Sequence, residues 1–500
     1  MRVQRASTRF LVAIPLTMLA ASLNPACSAP NPSTTNDLDS QTQGSGTPES
    51  DTPGQPSDAP PDTEKAPPDF PANGKTAIFV DINGSDTTLN IDVDAKKATV
   101  KAHMDIEIHQ PEGGGPLLDV VPETAQFVTV DGGQKLPLAV VTSPDGKSVM
   151  RMVDGTLPQG KHTLDFDEYA LKEGKAKDGT AIEGIEFKKG GAEFLSNQDD
   201  TQPRGFTERY FPSGFEKDRY PFTLSVNILH APAGQQPDVM TNGKKEKGPD
   251  GDSFKITFPV HDNTSSWFLH VIDRSNYSFA TGEYKSVDGR TIPLTAYGTQ
   301  QGDADLAIAD MKVFLQELEA DYGPYPHDSL LTSLNGVNDP EEYDGAVQSD
   351  LDATKKTPKG RGSLGHEMLH QWFGRSARPA TGRSGWVDEA IAEWRDDGYP
   401  RASSIKLDGK YVPLAVSSPY QRHTPEASYD QGSAMLQGLD LLLKDRGGVK
   451  PVLKAFHQQF RGQLYTTEDF LDFLRQNAPD LKDQMEPLFV KKVYAGATVP

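Results

Sequence analysis

Apolar residues change their period once along this chain, and that change divides it. Between Thr76 and about Tyr297 the signals are those of strands, with strict alternation at their clearest. In Ala98 to Ile108, Val100, Ala102, Met104, Ile106 and Ile108 share one face, and Lys101, His103, Asp105 and Glu107 the other. That alternation specifies a strand with one wet face. Phe222 to Leu229 and Trp267 to Ile272 read as further strands, with turn clusters such as Pro144-Asp145-Gly146 and Pro249-Asp250-Gly251 between runs. From about Ala304 the period becomes helical: Ala307, Met311, Phe314, Leu315, Leu318 and Tyr322 fall on one face, and Gly323-Pro324 stops the helix. Met435, Leu436, Leu439, Leu442 and Leu443 repeat the pattern up to Gly447-Gly448, and Thr466 stands as an N-cap before Phe470, Leu471, Phe473 and Leu474. The expectation is an antiparallel β-rich domain over 74–297 followed by a mainly helical domain over 298–500.

The first 73 residues follow other rules. Arg2, Arg5 and Arg9 precede the short apolar run Phe10 to Leu23, and small residues follow, which is an export-signal pattern over 1–26. The run is too short to span a bilayer. Cys27, the only cysteine, excludes an internal disulfide and resembles the lipid-attachment cysteine of bacterial lipoproteins; plain secretion is the alternative. Residues 27–73 are dense in Pro, Ser, Thr, Gly and Asp, a composition that cannot offset its ordering entropy and reads as a disordered tether. Together these features place the chain in a bacterial cell envelope, or in the periplasm or medium if Cys27 is unmodified. The formal net charge of −21 argues against nucleic acid as a partner.

The residues that carry chemistry lie in Gly365 to Gly374, GHEMLHQWFG. His366 and His370 are four apart, so on a helix both rings leave one face and can chelate one zinc ion. Glu367, beside the first histidine, is placed to act as general base on a water. Eighteen residues after His370 comes Glu389, opening a second helix in GWVDEAIAEW. It would complete a His₂Glu set and leave one position open. Glu393, four residues on, can accept a bond from a ligand ring's second nitrogen. Tyr429, in Ser428-Tyr429-Asp430-Gln431-Gly432, precedes a helix and is a candidate oxyanion donor.

These stretches resemble a known family, the zinc aminopeptidases that include aminopeptidase N and leukotriene hydrolase. The family pattern is HExxH, eighteen residues, then Glu in a WLNEGFAEY-like stretch. DYGPYPH at Asp321 to His327, YDQGSAML at Tyr429 to Leu436 and ERYFPSGFEKDRYPF at Glu208 to Phe222 resemble further family segments. The resemblance covers Thr76 to Pro500. It implies a β saddle followed by a thermolysin-like helical domain. It also implies one zinc per chain on His366, His370 and Glu389, Glu367 activating water, Tyr429 stabilising the oxyanion, and a peptide substrate.

Three departures bear on exopeptidase activity. The family's GxMEN motif, whose Glu grips the substrate's α-amine, has no clean copy. PEEYDGAV at Pro340 to Val347 resembles its MEYPG variant and makes Glu342 the amine-binding candidate, with Glu341 the alternative in register. Arg204 stands where the family's TQxE segment carries an acid, and would repel an ammonium group. The chain stops at Pro500, where longer members continue into a domain over the cleft, so a more open cleft is expected. Aminopeptidase is favoured over endopeptidase. The reading from a different class is a surface-tethered binding or scaffold protein with weak turnover, for which less than one zinc per chain would speak. Nothing in the sequence selects the non-peptide substrates that one family branch hydrolyses.

Overall fold

The computed structural model describes residues 67–496, except 175–183, 189–190, 203–204, 215–217, 259–264, 335–339, 353, 361, 416–417, 419 and 421–422. The export signal, Cys27, the tether up to residue 66 and Arg204 lie outside the described residues. Ordered structure begins earlier than composition suggests. Phe70–Ala72 is a strand, paired Phe70↔Ala77, and the Phe70 ring is buried. One large apolar side chain with a place to pack overrides the character of the segment around it.

The first half is built on a thirteen-stranded sheet among the described residues. Its centre is Lys97–Ile108, where Val100, Ala102, Met104, Ile106 and Ile108 are buried as the alternation requires. This strand pairs antiparallel with Asp81–Asp92 and Gly160–Phe166. The sheet is not purely antiparallel: Phe222–Leu229 lies parallel to Asp81–Asp92 along its whole length.

A four-stranded sheet joins the halves, in the order Gly184–Lys188, Gly191–Leu195, Leu269–Asp273, Pro237–Thr241. The expected strand at Trp267 to Ile272 begins at Leu269, and Leu269 to Ile272 are buried on both faces. Val239, Leu269 and Val271 belong to the core under the large sheet. Met240, Phe268 and Ile272 pack with Tyr343 and Ala346 on the other side. A strand apolar on both faces is one covered on both faces.

The second half is helices on a five-stranded sheet ordered Ser278–Lys285, Thr291–Gly298, Leu330–Leu334, Ala346–Gln348, Glu341–Tyr343. The boundary expected at 297/298 therefore falls inside a sheet. Thr291–Gly298 pairs parallel with Leu330–Leu334, and α1 (Asp303–Tyr322) buries its apolar face on the 278–298 hairpin. A period-2 hairpin cannot reveal which core it will join, because that depends on pairing beyond the local segment. Helix α1 ends at Gly323, whose φ of 104° is open to glycine but strained for other residues. The remaining helices are α2 (Leu364–Leu369), α3 (Trp386–Asp396), α4 (Asp430–Leu442), α5 (Lys450–Phe460), α6 (Thr467–Asn477) and α7 (Lys482–Leu488). Thr466 caps α6 in a reciprocal box with Asp469. Among the described residues no helix is long and apolar enough to cross a membrane.

Candidate metal centre

Helix α2 is shorter than the uninterrupted pattern suggests. Regular turns end at Leu369, and His370 is the helical C-cap. Beyond it the chain tightens, with Gln371 N bonded to Met368 O and Trp372 N to Leu369 O. The i, i+4 relation survives because His370 keeps helical angles. Met368, Leu369 and Trp372 are fully buried, and the Trp372 indole N–H donates to Gly323 O at 3.0 Å. The two histidines are thus mounted on a rigid core.

Helix α3 lies against α2 and carries Glu389 in its first turn. His366 Nε2 is 3.3 Å and His370 Nε2 3.6 Å from Glu389 Oε2. The donor atoms of all three lie within 4.8 Å of one another. Tetrahedral zinc with bonds of ~2.0–2.1 Å sets its ligand atoms about 3.3 Å apart, so the donor set fits that ion. The outer ring nitrogens meet carboxylates. His366 Nδ1 is 3.0 Å from Asp396 Oδ2, and His370 Nδ1 is 3.7 Å from Asp388 Oδ2. The first of these is a hydrogen bond, which favours the Nδ1–H tautomer of His366 and leaves its Nε2 lone pair free for a cation; the second is an ion-pair distance, and His370 Nδ1 has no hydrogen-bond partner among the described residues.

Glu393 does not take that place. It is half-buried on α3, while Asp396, seven residues from Glu389 and two turns along the same face, reaches the ring. Arg395 Nη1 holds Asp396 from the other side at 2.9 Å. Burial disfavours the charge on Asp396, but the His366 bond and Arg395 outweigh it and hold this carboxyl below its ordinary range.

Glu367 is buried, which together with Glu342 and Glu389 pushes its carboxyl up to about 8 against the pull of both histidines. On His370 burial acts downward, yet the charges of Glu342 and Glu389 carry the ring up to about 10. Tyr429 is the N-cap of α4, and its ring stacks on His366 at 6.0 Å between centroids, 23° from parallel. Gly432 allows this approach: a Cβ there would stand 2.6 Å from the Ala390 Cβ of α3. Burial, then the charges of Glu389 and Asp200, raise the Tyr429 phenol well above its usual range, so it remains an O–H donor.

The hairpin Glu341–Tyr343/Ala346–Gln348 is clamped over α2. Gly345 N donates to Gln371 Oε1 at 2.9 Å and Gln371 Nε2 to Tyr343 O at 3.0 Å. Glu342 is brought to the centre but is already engaged, because Arg375 Nη2 donates to its Oε1 at 2.8 Å and its carbonyl at 2.6 Å. Glu341 is also buried, and its Oε1 has no hydrogen-bond partner among the described residues. Burial, then Glu342 and Asp200, raise the Glu341 carboxyl well above its ordinary range. The register alternative thus has the free acceptor.

Sequence reasoning missed Asp200, Asp388, Asp396, Gln371 and Arg375. Asp388 and Asp396 carry a signal, since both lie on the helix that bears Glu389. Asp200 carries none: its loop is brought to the centre by Thr424, whose N–H donates to Asp200 O at 2.9 Å. A second set of donor atoms within 4.8 Å, from Glu342, His370 and Asp388, shares His370 with the first. Its Glu342 is committed to Arg375.

No family model and no curated protein matches the sequence. Solved structures do match. An M1 zinc metallopeptidase from Deinococcus radiodurans superposes with a TM-score of 0.58 at 16% identity, over 84% of this chain and 95% of that one. Legionella pneumophila aminopeptidase A, solved with aspartic acid, gives 0.59 at 14%, over 82% of this chain and 49% of that one. Yeast LTA4 hydrolase, solved with bestatin, gives 0.58 at 13%, over 84% and 69%. The chain has the fold that these three structures share.

Proposed function

We propose that this chain is a zinc-dependent aminopeptidase. The observation that carries the reading is the convergence of His366 Nε2, His370 Nε2 and Glu389 Oε2 to within 4.8 Å, with carboxylates facing both outer ring nitrogens. His366, His370 and Glu389 would hold one Zn²⁺, which when bound supplies Lewis acidity to a substrate carbonyl and lowers the pKa of water toward about 7. Glu367 takes the proton of the attacking water and delivers it to the departing amine. General catalysis of this kind contributes roughly 10²–10⁴-fold. Tyr429 donates its phenol hydrogen to the oxygen on which negative charge develops. Glu341, with Glu342 beside it, holds the substrate's α-ammonium. The free acceptor on Glu341 supports this role, and so does the shared fold. The sequence pattern before residue 66 supports export, with Cys27 as a lipid-bearing membrane anchor and the tether as a spacer.

Two measurements test the reading. Glu367→Gln should retain one zinc per chain while turnover falls at least about a hundredfold. Near-wild-type turnover in that variant would sink the mechanism. A peptide with a free N-terminus should be cleaved and its N-acetylated twin left intact; equal cleavage of both would make the chain an endopeptidase.

A further inference from the structure

Residues 397–429 join α3 to α4 and bring Thr424 and Tyr429 to the metal centre. From Asp397 to Pro425 none of the described residues lies in a helix or strand, so this path has no periodic hydrogen bonding of its own. Its placing rests on individual anchors. The first part is anchored in its own half: Ala402 N donates to Gln437 O at 3.1 Å and Leu414 N to Val493 O at 2.8 Å. At Tyr420 the anchor lies in the sheet-built half.

Tyr420 is buried, and its ring meets Phe70 edge-on at 5.6 Å and stacks on Phe79 at 6.4 Å between centroids. Its hydroxyl donates to Pro68 O at 2.9 Å, and its carbonyl accepts from the Ser148 hydroxyl. Leu117, Val141, Met150 and Met152 belong to the same small core. Both walls of this socket are themselves held. Ser148 N donates to Ser143 Oγ at 2.9 Å, and Ser143 Oγ to Asp145 Oδ1 at 2.6 Å. Asp69, beside Phe70, accepts from Phe79 N at 3.2 Å and from Gln110 Nε2 at 3.1 Å.

The functional groups follow closely. Thr424 N donates to Asp200 O at 2.9 Å, and the Thr424 side chain bonds the Asp200 carboxyl. Thr424 also packs on the start of α3, where a Cβ on Gly385 would meet its hydroxyl. The turn Glu426–Ser428 then leads into Tyr429, which stacks on His366. Four extended residues reach at most about 14 Å, so the position of Tyr420 bounds that of Thr424.

We propose that Tyr420 is a positioning residue for this centre: seated between Phe70 and Ser148, it fixes where Thr424 holds the Asp200 loop and where Tyr429 meets the substrate oxygen. The catalytic part of the proposal rests on the aminopeptidase reading; the positioning part does not. Pro68 and Phe70 form one wall of the socket, so the residues that open the described fold help to support the centre.

The test uses the zinc-loaded full chain and two readouts. In Tyr420→Ala, amide hydrogen exchange at Thr424 and Ser428 should quicken about tenfold or more, while the amides of Leu436 to Leu442 keep their wild-type rates. On the best of four fluorogenic aminoacyl amides, of Ala, Leu, Arg and Glu, kcat should fall about tenfold or more with KM within about twofold, because alignment in the transition state is what is lost. Phe70→Ala should act in the same direction, and Phe70→Leu, which refills the socket, should recover most of the loss. Tyr420→Phe keeps the ring and drops only the Pro68 bond. It should show a smaller change of the same kind, and it carries the test if Tyr420→Ala does not fold. Val128→Ala, in the other core of the same sheet, should leave both readouts unchanged. Exchange at Thr424 and Ser428 unmoved in the Tyr420 and Phe70 variants would overturn the proposal. Faster exchange with kcat unchanged would overturn its catalytic part. Hydrolysis of none of the four amides by the wild type would overturn the aminopeptidase reading, and exchange would still decide the positioning.

Discussion

Glu319 at the end of α1 and Glu341 on the hairpin over α2 are both buried acids of the same half, and the fold treats them in opposite ways. Glu319 accepts from the hydroxyls of Tyr284 and Ser286 and from the backbone N–H groups of Val287 and Tyr325. All four donors come from the protein, so this carboxylate ties the 278–298 hairpin to α1 and needs nothing further. Glu341 keeps an unpartnered oxygen and is surrounded by other acids. Burial alone therefore does not separate a structural acid from a functional one; the identity of the donors does. Where the protein completes the hydrogen bonding, the acid stabilises the fold. Where it stops short, the missing donor is left to water or a ligand.

The contrast is open to direct attack. Glu319→Ala strands four donors, each worth roughly 1–3 kcal/mol when left buried and unpaired, so urea unfolding should show a loss of about 4 kcal/mol or more. A loss below 1 kcal/mol would mean that water readily replaces the carboxylate. Glu341→Gln should do the reverse. Stability should hold or rise slightly, because a buried like-charge contact is removed, while kcat/KM on peptides with a free N-terminus falls roughly 10–100-fold. If Glu342→Gln alone produces that fall, the hairpin register seen here is not the one that meets substrate.

The smallest effect belongs to two histidine–aspartate pairs of the first half that are partly open to solvent. His103 lies 2.8 Å from Asp165, and His162 2.9 Å from Asp131. For His103 the Asp165 hydrogen bond raises the ring's pKa; for His162 burial opposes the rise, and Asp131 and the Pro158 carbonyl overcome it. A histidine whose folded pKa is raised contributes stability that is fully present below its unfolded value of about 6.5 and lost as pH climbs through the higher folded value. Solvent screens both pairs, so each is worth a few tenths of a kcal/mol. Unfolding free energies measured from pH 5.5 to 8.5 should decline slightly more in the wild type than in His162→Gln. Parallel curves would show that this pair contributes nothing.

Much of the centre was legible because it is local. Spacing along a helix brings two side chains to one face wherever the helix forms, so His366 and His370 could be read together. Glu389 followed from a second helix with its own apolar stripe, whereas Tyr429 was singled out by the resemblance of YDQGSAML to a family segment. The faces of α1, α4 and Lys97–Ile108 were legible for the same reason, since period reports which side is buried. Helix spacing alone pointed to Glu393, because it does not show which way the His366 ring turns its outer nitrogen.

What the sequence by itself determined, then, is the change from a sheet-built half to a helix-bearing one and the placing of His366 and His370 on one face of the candidate centre, each set by contacts within a few turns of the chain. Tertiary structure alone decided which acids surround that centre. Asp200 arrives from a loop 166 positions before His366, held by a backbone bond to Thr424. Asp396 rather than Glu393 reaches the ring, and Glu341 rather than Glu342 keeps the free oxygen because Arg375 claims the other. Those choices depend on how a hairpin, a loop and two helices are packed together, and no local periodicity encodes that packing.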